Sequence, residues 1–132
     1  MTKSWTDVRP YFEGDTVVHV ATLMPDGAPH SVPVWVGVEG DSLAFFSETG
    51  SRKDKNLQAD PRVAFSVTNP AEPLDMAFAR GRVTRRIEGD DAMPFVDRIA
   101  EVYTGEPYDV RSGMTVFLVD LDVTWANNYA AS

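Results

Sequence analysis

The residues with the greatest chemical capacity fall in one run, Ser47-Glu48-Thr49-Gly50-Ser51-Arg52-Lys53-Asp54-Lys55-Asn56, where an apolar strand passes through a Gly-Ser turn into a basic helix start. Backbone N–H groups at a helix N-terminus are unpaired donors, and the helix dipole adds partial positive charge, so such a turn attracts phosphate. Ser51, Arg52, Lys53 and Lys55 add hydroxyl and cationic donors. Arg52, Lys53 and Lys55 concentrate positive charge in a chain whose net charge is −8. The same residues would also suit the solvated face of an ordinary helix, and the run by itself leaves both readings open.

Other familiar chemistry is missing. There is no cysteine, which excludes disulfides, thiolate nucleophiles and thiolate metal sites. His19 and His30 are the only histidines, and no metal site is expected. No Gly-x-Ser-x-Gly elbow, nucleotide-hydrolase phosphate loop or Rossmann glycine fingerprint occurs. Asp90 and Asp91 read as helix-capping residues. No side chain is assigned as catalytic, and any chemistry is expected from a bound organic cofactor.

The elements that must position the basic run can be read on either side of it. A short helix is expected within Ser4 to Glu13, limited by Pro10. Val17 to Leu23 is rich in β-branched residues and ends at the hairpin turn Met24-Pro25-Asp26-Gly27, with the partner strand following from His30 to Val38. Along that partner Val32, Val34, Val36 and Val38 face one way and Ser31, Pro33 and Trp35 the other. Pro33 cannot donate to a ladder, which places the strand at an edge or opens it there. Ser42 to Ser47 is the third strand, a helix runs from Arg52 to about Ala59, and Arg62 to Thr68 is the fourth strand. After a loop at Asn69 to Pro73, Asp75 to Ile87 forms a long fifth strand carrying Arg80, Arg82, Arg85 and Arg86. Ala92, Val96, Ile99 and Tyr103 mark the apolar stripe of a second helix. A flexible 108–113 segment leads to the last strand, Thr115 to Val123. Six strands joined mainly by short turns imply a mostly antiparallel barrel with helices packed outside it.

With 132 residues and 43% hydrophobic content, a single domain over 1–132 with its own core is expected. No apolar run reaches the length of a membrane span and the N-terminus lacks a signal-peptide core, so a cytoplasmic location is expected. The acidic balance argues against nucleic acid and anionic membranes as partners.

The run Phe46-Ser47-Glu48-Thr49-Gly50-Ser51-Arg52-Lys53, followed by Asn56-Leu57 and Asp60-Pro61-Arg62-Val63, resembles the flavin-phosphate segment of the pyridoxamine 5'-phosphate oxidase-like split β-barrel proteins. Gly27 to Trp35 resembles the first cofactor strand of that superfamily, and Arg80-Gly81-Arg82-Val83 and Tyr103-Thr104-Gly105 continue the likeness, which covers about Val17 to Val123. The resemblance implies an antiparallel, FMN-binding-like split β-barrel of mainly β structure with flanking helices. It assigns Arg52 and Lys53 to the cofactor phosphate with Ser47 and Ser51 as hydroxyl partners. Lys55 and Asn56 fall at the mouth of that phosphate site. The strand His30, Val32, Pro33, Val34 and Trp35 lies against the ring system, and a homodimer completes the site at its subunit interface.

Departures from the true pyridoxamine phosphate oxidases point elsewhere. His30 stands where they open this strand with arginine, Trp35 where they close it with lysine and Met76 where they carry a glutamine; their C-terminal Arg-x-His segment has no counterpart. Pro33-Val34-Trp35 and Tyr103-Thr104-Gly105 look more like the branch using the deazaflavin coenzyme F420, while Gly50-Ser51-Arg52-Lys53 is closest to the FMN pattern. The resemblance therefore implies an oxidoreductase transferring a hydride to a small organic acceptor, with F420 favoured and FMN the alternative. A non-catalytic flavin or deazaflavin carrier is a further reading.

Overall fold

A computed structural model describes residues 3–131. One seven-stranded antiparallel sheet has the order β2-β1-β5-β6-β7-β4-β3, with β1 Val18–Leu23, β2 Pro29–Val34, β3 Val36–Glu39, β4 Ser42–Glu48, β5 Arg62–Asn69, β6 Glu72–Glu88 and β7 Met114–Asn128. The two edge strands, β2 and β3, are consecutive in the chain and separated only by Trp35, so the sheet curls until its edges approach, which is a split barrel. Helices α1 (Trp5–Val8), α2 (Arg52–Ala59) and α3 (Met93–Thr104) flank it.

The expected single strand from His30 to Val38 is two strands, which makes seven and not six. Trp35 leaves the ladder to stack on Tyr103 of α3 at 5.1 Å and 14°. The Val36 N–H then donates to the Tyr103 hydroxyl (3.1 Å), which itself donates to the Thr16 carbonyl (2.8 Å). A tertiary contact has replaced a strand hydrogen bond. Pro33 lies on an edge strand as its missing N–H requires.

Other boundaries moved for similar reasons. The N-terminal helix is one α turn followed by a 3-10 turn at Arg9–Phe12, with Pro10 inside the second. The loop at Asn69 to Pro73 closes as a tight turn, because β6 already begins at Glu72. β7 continues to Asn128 because the long β6 offers partners as far as Asp75. Asp90 and Asp91 sit in a 3-10 turn, Gly89–Ala92, that has no side-chain cap hydrogen bond, and α3 starts only at Met93.

The core has two layers. Val18, Val20, Phe45, Phe65, Phe117 and Val119 fill the barrel, while Ala44, Val96, Ile99, Met114 and Val116 form a second cluster beneath α3. Strands β4 and β7 supply both, since alternate residues point to opposite faces: Phe45 and Phe117 inward, Ala44 and Val116 toward the helix. Gly81 marks the tightest crossing, where a Cβ would lie 1.9 Å from the Asp120 carbonyl oxygen at a register shift of the β6/β7 pair.

Candidate functional site

The basic turn is built from local rules. Gly50 takes φ +83°, which lets the chain leave β4 and enter α2. Ser51 is the N-cap, its hydroxyl accepting the Asp54 N–H at 3.3 Å and lying 2.8 Å from the Ser47 hydroxyl. Ser51 N–H donates to Glu48 O and Gly50 N–H to Asp54 Oδ2, whereas the N–H groups of Arg52 and Lys53 have no partner among the described residues. Arg52 and Lys55 are exposed and Lys53 half-buried, and none of the three makes an ion pair among the described residues. Free amide donors and unneutralised cations thus share one helix end, an arrangement that attracts anions.

Beneath this turn lies Asp54, at 0% exposure the one fully buried carboxylate among the described residues. Arg86 of β6 grips it with both fork arms, Nε to Oδ1 at 2.7 Å and Nη2 to Oδ2 at 2.6 Å, and Gln58 adds a third donor at 3.2 Å. These bonds, Arg86 first and then the Gly50 N–H, hold the Asp54 carboxyl below the usual carboxylate range against the opposing effect of burial. The Arg86 charge is in turn shared with Glu88 at 3.0 Å.

A cleft of about 410 Å³ opens beside the turn, lined by Val17, Pro33, Val34, Trp35, Phe46, Lys53 and Tyr108. Its aromatic wall is interlocked: Phe46 meets Tyr108 edge-on at 5.0 Å, and Trp35 contacts both rings. Burial raises the Tyr103 pKa behind that wall. Of the residues proposed from sequence, Pro33, Val34, Trp35 and Lys53 converge here.

The others do not line the cleft. Val32 packs against the barrel core, and Ser47 and Ser51 are engaged with each other. Asn56, expected at the mouth of the phosphate site, is 1% exposed; its amide donates to Thr22 Oγ1 at 3.0 Å, pinning α2 to β1. His30 is paired with Thr22 in the β1/β2 register, and its Nδ1 is buried without a partner among the described residues. Phe46, Tyr108 and Val17 were not anticipated. A lone acid inside a basic run was the one sequence signal that Asp54 had a buried partner. No group of three or more His, Cys, Asp or Glu suited to a metal occurs among the described residues.

The family model described as pyridoxamine 5'-phosphate oxidase matches residues 5–127. The chain belongs to that family. Among solved structures similar to this family member, one titled F420 reductase has a TM-score of 0.80 at 28% identity, covering 89% of this chain and 94% of the other. A conserved hypothetical protein from Mycobacterium tuberculosis has a TM-score of 0.78 at 20% identity, covering 97% and 86%. A heme binding protein from Mycobacterium smegmatis has 0.65 at 19%, covering 99% and 62%. At their identities the last two show the fold alone. No curated protein sequence matches the chain.

Proposed function

We propose that this family member is an oxidoreductase that binds a phosphorylated flavin-type cofactor, coenzyme F420 in first place and FMN as the alternative, and passes a hydride to a small organic acceptor. The observation that carries the reading is the cleft itself, which brings Lys53 of the anion-attracting helix end together with Pro33, Val34 and Trp35 of the edge strand. The choice of F420 is supported by the similarity to the structure titled F420 reductase.

The residues fit such a group. The unpartnered N–H groups of Arg52 and Lys53 and the cationic side chains of Arg52, Lys53 and Lys55 would hold the phosphate. Trp35, Phe46 and Tyr108 would exclude water from a planar ring, and the edge position of β2 leaves a row of backbone groups without a strand partner. When bound, the cofactor ring supplies the hydride chemistry; the protein supplies orientation and electrostatics.

A homodimer with the site at its interface and a cytoplasmic location are part of the proposal. The dimer is supported by the stacked Phe78–Trp125 pair (5.3 Å) on the outer sheet face, in a hollow that shares the exposed Val17 with the cleft. No helix among the described residues is long and apolar enough to cross a membrane.

Fluorescence titration of wild type and Arg52→Ala/Lys53→Ala with F420 and FMN tests the assignment. The double variant is expected to lose on the order of 2 to 4 kcal/mol of binding, since each charge-assisted hydrogen bond contributes about 1.5 to 3 and neighbours do not add fully. Unchanged affinity refutes the phosphate assignment. A carrier on the same fold is the second reading, favoured by a cleft lining that has no carboxylate or imidazole. Tight cofactor binding with no reduction of enone, quinone or biliverdin-like acceptors would establish it.

A further inference from the structure

Tyr108, which lines the cleft together with Lys53, belongs to neither a helix nor a strand. Tyr108 sits in an irregular strap between Gly105, which ends α3 at φ +82°, and Gly113, at φ +77° ahead of β7. A strap bounded by two glycines in left-handed geometry has little backbone reason to hold one shape. Side chains hold it instead. Asp97, near the middle of α3, accepts the Tyr108 N–H at 3.1 Å, and Arg111 Nη1 donates to the Tyr108 carbonyl at 2.8 Å. The two side chains are themselves joined by a fork, Nη1 to Oδ1 at 2.7 Å and Nη2 to Oδ2 at 3.0 Å. Both polar groups of the Tyr108 backbone are therefore captured by one ion pair. At the strap's far end, the Gly113 carbonyl accepts the Thr49 N–H at 2.8 Å, from the same turn that carries Lys53.

We propose that Asp97 and Arg111 form a clasp that fixes Tyr108 as one wall of the cleft, so that Asp97 is a positioning residue acting on the bound ligand through Tyr108. This rests on the cofactor reading of the cleft. The geometry explains why an exposed ion pair would matter to binding. The pair is anchored on the last regular element before the strap, and Tyr108 is the strap residue that reaches Phe46 and Trp35. Releasing the clasp frees the Tyr108 backbone while leaving α3 and β7 intact. The ring then samples positions away from the cleft, and a ligand packed against it dissociates faster.

Two measurements on the full chain decide this. The first is hydrogen exchange without ligand, comparing wild type with Asp97→Ala and Arg111→Ala. The clasp predicts that protection of the Tyr108 amide is lost while that of α3 and β7 is retained; unchanged protection overturns it. The second is a binding cycle with F420 or FMN using Asp97→Ala, Tyr108→Ala and the double variant. Tyr108→Ala should weaken binding about tenfold and Asp97→Ala roughly three- to fivefold, mainly through faster dissociation, with no further loss in the double variant. Additive losses, or wild-type affinity in Asp97→Ala, overturn the positioning role. Wild type that binds neither cofactor overturns the reading of the cleft and the ligand half of this inference with it, while the exchange data still decide the clasp.

Discussion

The two walls of the cleft are made in opposite ways. On one side the Gly50 to Lys55 turn is held by a glycine in left-handed geometry, a serine cap and a buried carboxylate gripped by Arg86. On the other, the Tyr108 strap has no repeating backbone structure and depends on an ion pair whose arginine side chain is 56% exposed. A buried, fully hydrogen-bonded charge defines one geometry because every alternative strands it; an exposed pair exchanges easily with water. The first wall suits an invariant group such as a phosphate. On the proposed cofactor reading, the second suits adjustment to whatever lies over the ring.

Removing Arg86 should break this contrast most severely. Arg86→Ala leaves Asp54 buried without its main partner, and urea unfolding should show a loss of about 3 to 5 kcal/mol. Adding Asp54→Asn to that variant should recover part of the loss, because the stranded charge is gone. A stable Arg86→Ala protein would mean that the turn is held by its backbone alone.

Acid titration gives a smaller effect with a defined sign. The Asp54 pKa is lowered in the folded protein, so its contribution is fully present above the unfolded carboxylate range and is lost as pH falls through the folded value. The stability gap between wild type and Asp54→Asn/Arg86→Met should therefore shift against wild type as pH drops from neutrality into the acid range. A gap that stays constant with pH would show that the pair does not behave as an ionised couple.

The clasp should give the smallest change in stability. Asp97→Ala should alter unfolding by less than about 1 kcal/mol, the range of exposed ion pairs, with a difference that shrinks further in high salt. A loss as large as that of Arg86→Ala would erase the distinction between the two walls.

Much of the frame was legible in the chain. The β-branched run at Val17 to Leu23, the turn at Asp26-Gly27, the edge proline and the helix start at Ser51 are each decided within a few residues, and each stands where those residues place it. The basic turn was legible for the same reason. The strand break at Trp35 was not, because alternation of valines continues straight through it; only the approach of Tyr103, far along the chain, removes Trp35 from the ladder. Asn56 shows the converse. The family resemblance implied a place at the phosphate mouth, but the helix face Asn56 occupies is the one that packs on Thr22.

What the sequence by itself determined was therefore the inventory: an antiparallel set of strands, an edge strand marked by Pro33 and a basic helix-start turn beginning at Gly50. Periodicity, caps and turn residues act over a few positions and need no distant partner. The tertiary structure alone decided which of these pieces meet. Closing the sheet brought Lys53 to Trp35, placed Arg86 under Asp54 from 32 residues away, and folded Tyr108 back onto α3 to face them both. Such meetings depend on strand order and register, which are properties of the assembled sheet.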